Sequence, residues 1–447
     1  EEIRERHRVP GISAAFYSHG NSTTAACGIL NVVSKIPVTD SAIMHIGSIT
    51  KVMTATLIMQ LVDQGVLELD RRVVEYLPDF RLASEEAREA ITVGMLLNHS
   101  SGIDGDLLPD MGHDQETIEL AFSRFGNLNQ IHRPAHGRAY CNPGFVIGGY
   151  LLQRLLGKSW YDLMKERIFT PLDMQHAAVL PEDALLYPAS VGHFLDASRR
   201  RPVRTSHAFL PLSYAPAGST AMMSASDLLA FTRAHLSAPS QPGQRRLLSQ
   251  ESATRMREHS RLSGGVEAFD CGIGWIRYRD FIRHGGGGPG IVSLIVAHPP
   301  SGTAAAVLTN AEYGSPAIAQ ILEPFFRSEV GESPFPSTPS PVDIEIDTQP
   351  YTGIYRNINT IHQVQAHNGR LSWASYSTQK YYDSSPMFAP DPTPLIPLGD
   401  HRFVADSRAS TMPSSDNAVV SFAEPDREGR MSYLAENLWL FRRESIA

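Results

Sequence analysis

Ser48 and Lys51 are the residues whose types and spacing most directly suggest chemistry. Side chains three apart on a helix are neighbours, so a helix beginning at or just before Ser48 brings the hydroxyl and the amine together. A serine hydroxyl becomes a nucleophile when a base takes its proton, and a lysine serves as that base when burial or nearby cations lower its pKa. The same helix start sets the positive dipole end beside Ser48, where an oxyanion is favoured. Taken alone, the pair also fits a helix cap followed by a solvated lysine, a pattern that recurs by chance. Two features weigh against that. Lysines are few (Lys35, Lys51, Lys158, Lys165 and Lys380) beside many arginines, and arginine could not act as the base because its guanidinium does not deprotonate in proteins. Apolar residues also flank the serine, with Ile43, Met44 and Ile46 before it and Met53, Leu57, Ile58, Leu61 and Val62 after it at helical spacing.

Two further stretches could meet this pair. The turn Arg138-Ala139-Tyr140-Cys141-Asn142-Pro143-Gly144 precedes an apolar helix over 145–156 and presents Tyr140 and Asn142 beside it. The plainer reading is a tyrosine satisfied locally and an asparagine capping the helix. In His284-Gly285-Gly286-Gly287-Gly288-Pro289-Gly290, four glycines after a strand let a substrate lie against backbone and can aim an N–H at a developing oxyanion. No Lys-Ser or Lys-Thr follows them, so a phosphate loop is a poor match; a tight hairpin turn is the plainer alternative.

The elements that must position these residues follow from periodicity. Residues 8–39 read as a strand pair turning at Ser18-His19-Gly20-Asn21, which feeds an amphipathic helix from Ser48 that stops at Gly65. Apolar helices are expected over 91–97, 160–168, 228–236 and 316–327, and strands over 272–276, 281–283, 291–297 and 303–310. Strands at both ends with helices between imply one sheet joining the two ends of this region. The polar stretch 104–137 resembles an insertion that could cover a site. Five prolines over 334–350 mark a linker, and eight short alternating stretches between 351 and 442 suggest a small antiparallel barrel or sandwich with no constellation for chemistry. The expected division is 1–330, a linker at 331–349, and 350–447.

Composition bounds the partners. A chain of 447 residues, 42% apolar and 19% charged, buries a large core. A net charge of −8 with no basic run argues against nucleic acid or an anionic membrane surface, and no apolar stretch approaches the ~18 residues of a membrane span. Small molecules are the expected partners. Cys27, Cys141 and Cys271 lack metal-ligand spacing and are odd in number, which leaves room for one disulfide but not a disulfide framework. The chain opens at Glu1, so a removed signal peptide, a processed start and a trimmed chain are all open, and the compartment is not legible.

In this order, Ser48-Ile49-Thr50-Lys51, Tyr140-Cys141-Asn142 and His284-Gly285-Gly286 resemble the three signature elements of the serine beta-lactamase and penicillin-binding-protein superfamily, nearest its class C beta-lactamase, D-stereospecific peptidase and esterase branch. Val9-Pro10-Gly11, the stretch from Leu97 to Ile103, Pro216-Ala217-Gly218 and Gly272-Ile273-Gly274-Trp275 add to a resemblance that covers residues 8 to about 327. It implies an α+β fold, an antiparallel sheet flanked by helices plus an all-helical lobe with the site between them. It implies Ser48 as the acylated nucleophile, Lys51 as its activator and Tyr140 as partner base and later acid. Asn142 would orient the substrate, and the N–H groups of Ser48 and Gly287, with Gly286 beside them, would bind the oxyanion. His284 stands where many relatives carry lysine and would shuttle protons or tune Tyr140, which speaks against efficient beta-lactamase activity. No metal or cofactor is implied. The tail resembles lipocalin-like barrels appended to some relatives; it could restrict the cleft, bind a ligand or make a homo-oligomer contact. The expected function is a serine hydrolase of small esters, amides or peptides, with an acyltransferase and a non-catalytic penicillin-binding sensor as alternatives.

Overall fold

The computed structural model describes all residues except 106–109, 115, 197, 199–200, 237–245, 261, 263–265, 268, 338, 379–391, 407–418 and 445–447. Its main sheet is antiparallel and six-stranded, in the order β3-β4-β5-β6-β1-β2. These strands are β1 (Gly11–Ser18), β2 (Asn21–Gly28), β3 (Ile276–Tyr278), β4 (Phe281–Gly288), β5 (Ile291–His298) and β6 (Thr303–Thr309). The two ends of the region meet where β1 pairs with β6, Ile12 opposite Thr309 through Tyr17 opposite Ala304. Strand β6 is buried throughout, and its alternation serves two cores. Ala305 and Val307 face a cluster with Ile318, Leu322 and Phe326 of the helix Ser315–Glu329, whereas Ala304, Ala306 and Leu308 face the larger core shared with the helical lobe.

That larger core surrounds α1 (Thr50–Asp63). The expected amphipathic helix is instead buried on every side, every residue from Thr50 to Met59 being inside. A helix enclosed all round belongs to the middle of a large domain, and its fixed end is a good place for a reactive group. Beside it lies α2 (Asn142–Leu156), with Cys141 at its N-cap, Pro143 in its first turn and Gly157 left-handed at its end.

Eight strands close into an antiparallel barrel: β7 (Gly353–Arg356), β8 (Thr360–His367), β9 (Arg370–Ser377), β10 (Thr393–Gly399), β11 (Arg402–Ala405), β12 (Val419–Pro425), β13 (Met431–Glu436) and β14 (Trp439–Arg443). Closure comes from Tyr355 opposite Arg443. Its interior is packed with Tyr351, Tyr355, Trp373, Phe403, Phe422 and Phe441 among others. The proline-rich segment before it is laid against both neighbours. Phe335 packs on the core beneath the sheet, the Val342 N–H donates to the Pro397 carbonyl, and Ile346 joins the barrel core. Among the described residues no helix is long and apolar enough to cross a membrane. All three cysteines are free thiols, so the one disulfide the sequence left room for does not form.

Two local expectations change. The second strand ends at Gly28, well short of residue 39 where the expected strand pair stopped. The glycines after His284 do not form a loop; they continue β4 through Gly288, paired with β5 from Ile282 opposite Ala297 to Gly288 opposite Ile291. Main-chain pairing with β5 outweighs the low strand propensity of glycine.

Candidate active site

Ser48 sits in a single 3-10 turn, Gly47–Ile49, that leads directly into α1. The Lys51 Nζ is 2.9 Å from the Ser48 Oγ and 2.5 Å from the Ala217 carbonyl oxygen. Lys51 is fully buried, with its ammonium 4.8 Å from the centre of the Tyr140 ring. The turn itself is clamped by His45. The Gly47 N–H donates to the His45 Nδ1 at 3.1 Å, so the ring proton lies on Nε2 and donates to the Ser219 carbonyl at 2.9 Å. Burial pushes His45 down to about 4, keeping it in the neutral form this clamp requires.

Tyr140 precedes α2 by two residues and is held from several sides. The carbonyl of His99 accepts the Ala139 N–H, the His99 Nδ1 accepts the Cys141 N–H at 3.0 Å, and the His99 ring stacks on Tyr140 with centroids 4.6 Å apart. Burial first, and then the Lys51 charge, push His99 well below its ordinary range. Asn142 lines the same cleft as Ser48 and Tyr140. It is the first residue of α2, and Cys141 provides the cap, its Sγ accepting the Gly144 N–H.

His284 lies on the buried face of β4, its ring centroid 6.4 Å from that of Tyr140. Its Nδ1 donates to the Gly285 carbonyl at 2.7 Å. Its Nε2 is buried with no hydrogen-bond partner among the described residues. Burial and then Lys51 push this imidazole down to about 3, so near neutral pH it offers an unprotonated nitrogen rather than the positive charge of a lysine. On the opposite face, Arg283, Gly285 and Gly287 line the cleft. A Cβ on Gly287 would meet nothing within 4 Å, whereas one on Gly286 would strike the Ile46 carbonyl and the Ser293 hydroxyl. Gly286 therefore offers only backbone to a substrate. A Cβ on Gly47 would lie 2.6 Å from the Gly287 oxygen and 2.7 Å from its nitrogen, so the absence of side chains brings the turn bearing Ser48 against the strand bearing Gly287.

The cleft has a volume of about 610 Å³ and a largely apolar lining that includes Leu210, Val292, Leu294 and Phe335. The Arg283 guanidinium at its wall donates to the Pro334 carbonyl at 3.1 Å and has no carboxylate partner among the described residues. The barrel supplies part of the wall. Leu438 and Trp439, at the β13–β14 hairpin, line the cleft. The Leu438 carbonyl accepts the Tyr140 N–H at 3.0 Å, and the Trp439 ring meets that of Tyr140 edge-on at 5.1 Å. Nearby, the Ile358 N–H donates to Asp104 and His136 contacts Glu424 at 2.8 Å. The stretch 104–137 thus carries contacts to the barrel.

The structure brings together Ser48, Lys51, Tyr140, Asn142, His284, Gly286 and Gly287. Sequence reasoning missed the roles of His99, which was only part of a longer matched stretch, of His45, which was in none, and of Leu438 and Trp439. The last two carry no signal in the chain, since a barrel turn reads the same wherever its tip points.

The beta-lactamase family model matches residues 1–322. Penicillin-binding protein 4 of Amycolatopsis lactamdurans is 32% identical over 374 residues, covering 79% of this chain and 95% of that protein. Among solved structures, SurE is similar over 99% of this chain and 97% of its own, with a TM-score of 0.79 and 23% identity. The D-amino acid amidase of Ochrobactrum anthropi SV3, solved with L-phenylalanine amide, covers 73% of this chain and 97% of its own, with a TM-score of 0.59 and 24% identity. With its sheet, helical lobe and serine turn arranged in this way, the chain belongs to the beta-lactamase and penicillin-binding-protein superfamily of serine hydrolases.

Proposed function

We propose that this protein cleaves small esters, amides or short peptides through an acyl-enzyme on Ser48. The observation that carries the reading is the 2.9 Å contact between the Ser48 Oγ and a buried Lys51 Nζ, at the head of a helix enclosed by the core. Lys51 in its neutral form, assisted by Tyr140, takes the hydroxyl proton as Oγ attacks the carbonyl. Tyr140 then protonates the departing oxygen or nitrogen, and water enters by the reverse path to release the acid. The N–H groups of Ser48 and Gly287 are suited to the oxyanion, a role worth ~2.7 to 4 kcal/mol per donor in a well-studied hydrolase. Neutral His284 offers Nε2 as an acceptor close to Tyr140, which favours tuning that hydroxyl over carrying a charge. The Arg283 guanidinium, bonded to the Pro334 carbonyl and lying over the Tyr278 ring with no carboxylate partner among the described residues, favours substrates that carry a carboxylate, since a desolvated cation is costly without an anion. SurE has also been solved with D-Leu, which supports testing D-configured peptides first.

Trp439 and Leu438 cover part of the cleft and so favour a second outcome, capture of the acyl group by an amine or alcohol in place of water. Intact-mass spectrometry after mixing with p-nitrophenyl acetate, a D-alanyl ester and a penicillin tests both readings. A transient adduct with turnover, absent in Ser48→Ala, is expected for a hydrolase. A long-lived adduct released only by an added amine marks a transferase, one released by nothing marks a sensor, and an adduct that survives Ser48→Ala removes the nucleophile assignment.

A further inference from the structure

Beside Trp439 lies a second cavity of about 300 Å³, lined by Asn357, Asn359, Glu436, Asn437 and Phe441 among others. Trp439 lines both cavities, so the catalytic cleft and this pocket adjoin at that residue. The pocket holds a carboxylate and no lysine or arginine. Glu436 ends β13 opposite Trp439, with its side chain 24% exposed and its Oε2 3.4 Å from the His362 Nε2.

That histidine does not supply a counter-charge. His362 lies flat on Trp373 with centroids 4.6 Å apart, meets Phe441 edge-on at 4.1 Å, and shares its Nδ1 with the Ser375 hydroxyl at 2.7 Å. Burial pushes its ring down to about 3 and pushes the Glu436 carboxyl up to about 7. An acidic group withdrawn from water beside a neutral imidazole lacks the partner that would favour its charged form. The remaining lining consists of three asparagines, Thr360 and two aromatic residues, the surroundings in which a primary ammonium finds hydrogen-bond acceptors and ring faces together.

We propose that this pocket is a subsite for a primary ammonium group, the free amino end of the molecule whose other end reacts at Ser48. The assignment to a substrate rests on the acyl-enzyme reading above; the affinity of the pocket for an ammonium does not. Glu436 would pair with the ammonium, the Asn437 carbonyl and the Thr360 hydroxyl would take its remaining protons, and Trp439 would be the sill over which the chain passes between the two cavities.

The test is calorimetric titration of the full chain carrying Ser48→Ala with D-alanine di-, tri- and tetrapeptide amides, each with its amino terminus free or acetylated. From the length that spans the sill onward, the free amine is expected to bind roughly tenfold more tightly than its acetylated partner, a factor typical of one partly desolvated charge pair. The gap should shrink with added salt and close in Glu436→Gln. Equal affinities for the two series at every length overturn the proposal without reference to any variant of Glu436, and so does a gap that persists in a folded Glu436→Gln protein. Wild-type turnover of p-nitrophenyl acetate is measured alongside. Its absence with the amine preference intact removes the hydrolase reading and leaves the ammonium site standing.

Discussion

At the scale of single residues, the site depends on a lysine held against the nucleophile and on histidines kept neutral by burial. Lys51 reaches both the Ser48 Oγ and the Ala217 carbonyl from inside the core, so Lys51→Arg keeps a charge but removes a group able to give up its proton. Turnover of p-nitrophenyl acetate at neutral pH is expected to fall by roughly 10² to 10⁴, the usual contribution of a general base; retained activity would mean that Lys51 is not the base. His45 makes a second prediction, about pH. Its folded pKa of about 4 lies below the 6.5 of an unfolded histidine, so the unfolded chain takes up the proton first. The contribution of this group is full above pH 6.5 and is lost as pH falls toward 4, by up to roughly 3 kcal/mol. His99 and His284 shift in the same direction. Thermal melts from pH 7.5 to 4.5 should show this decline, and His45→Asn should be less stable at pH 7.5 with a shallower slope. An unchanged slope would remove His45 from the account.

At the scale of elements, the junction between β4 and the turn before α1 decides whether Ser48 faces an oxyanion site. Neighbouring glycines there answer to different constraints. Gly286→Ala would drive a methyl into the Ile46 carbonyl and the Ser293 hydroxyl that bonds to it. A loss of about 1–3 kcal/mol is expected, with most of the activity. Gly287→Ala points its methyl into open cleft, so its melting temperature should stay near wild type while KM for bulky esters rises. Equal destabilisation by the two changes would show that the strand does not sit against the turn in this way. The sequence carried the glycine run but not its conformation, because glycine permits loop and strand alike and pairing with β5 alone selects the strand.

At the scale of the whole molecule, the barrel reaches the site through its β13–β14 hairpin. The Leu438 carbonyl fixes the backbone of Tyr140 and Trp439 packs on its ring, while Ile131 and Ala139 bury themselves against Tyr433, Ala435 and Leu440. The two large clusters around the main sheet are built almost wholly from residues before 331. A chain ended at residue 330 is therefore expected to fold, judged by circular dichroism. It should turn over p-nitrophenyl acetate roughly tenfold to a hundredfold more slowly, the size of effect that follows a small misplacement of a catalytic group. An unfolded fragment would instead show that the barrel completes the core, and full activity would mean that the hairpin does not position Tyr140. Of the three roles open to the barrel from the sequence, restriction of the cleft is supported by these contacts, and the cavity beside Trp439 is what a ligand-binding role would use.

The sequence by itself determined the nucleophile turn, the tyrosine turn, the glycine run after a strand and the eight strands of the barrel, because each rests on local spacing: three residues on a helix, two on a strand, a proline or glycine at an end. Tertiary structure alone decided that α1 is enclosed on all sides, that His284 is neutral, and that a barrel tip more than 290 residues beyond Tyr140 in the chain supplies its hydrogen-bond acceptor. Burial, dielectric and long-range contact are sums over neighbours distant in sequence, and no local pattern encodes them.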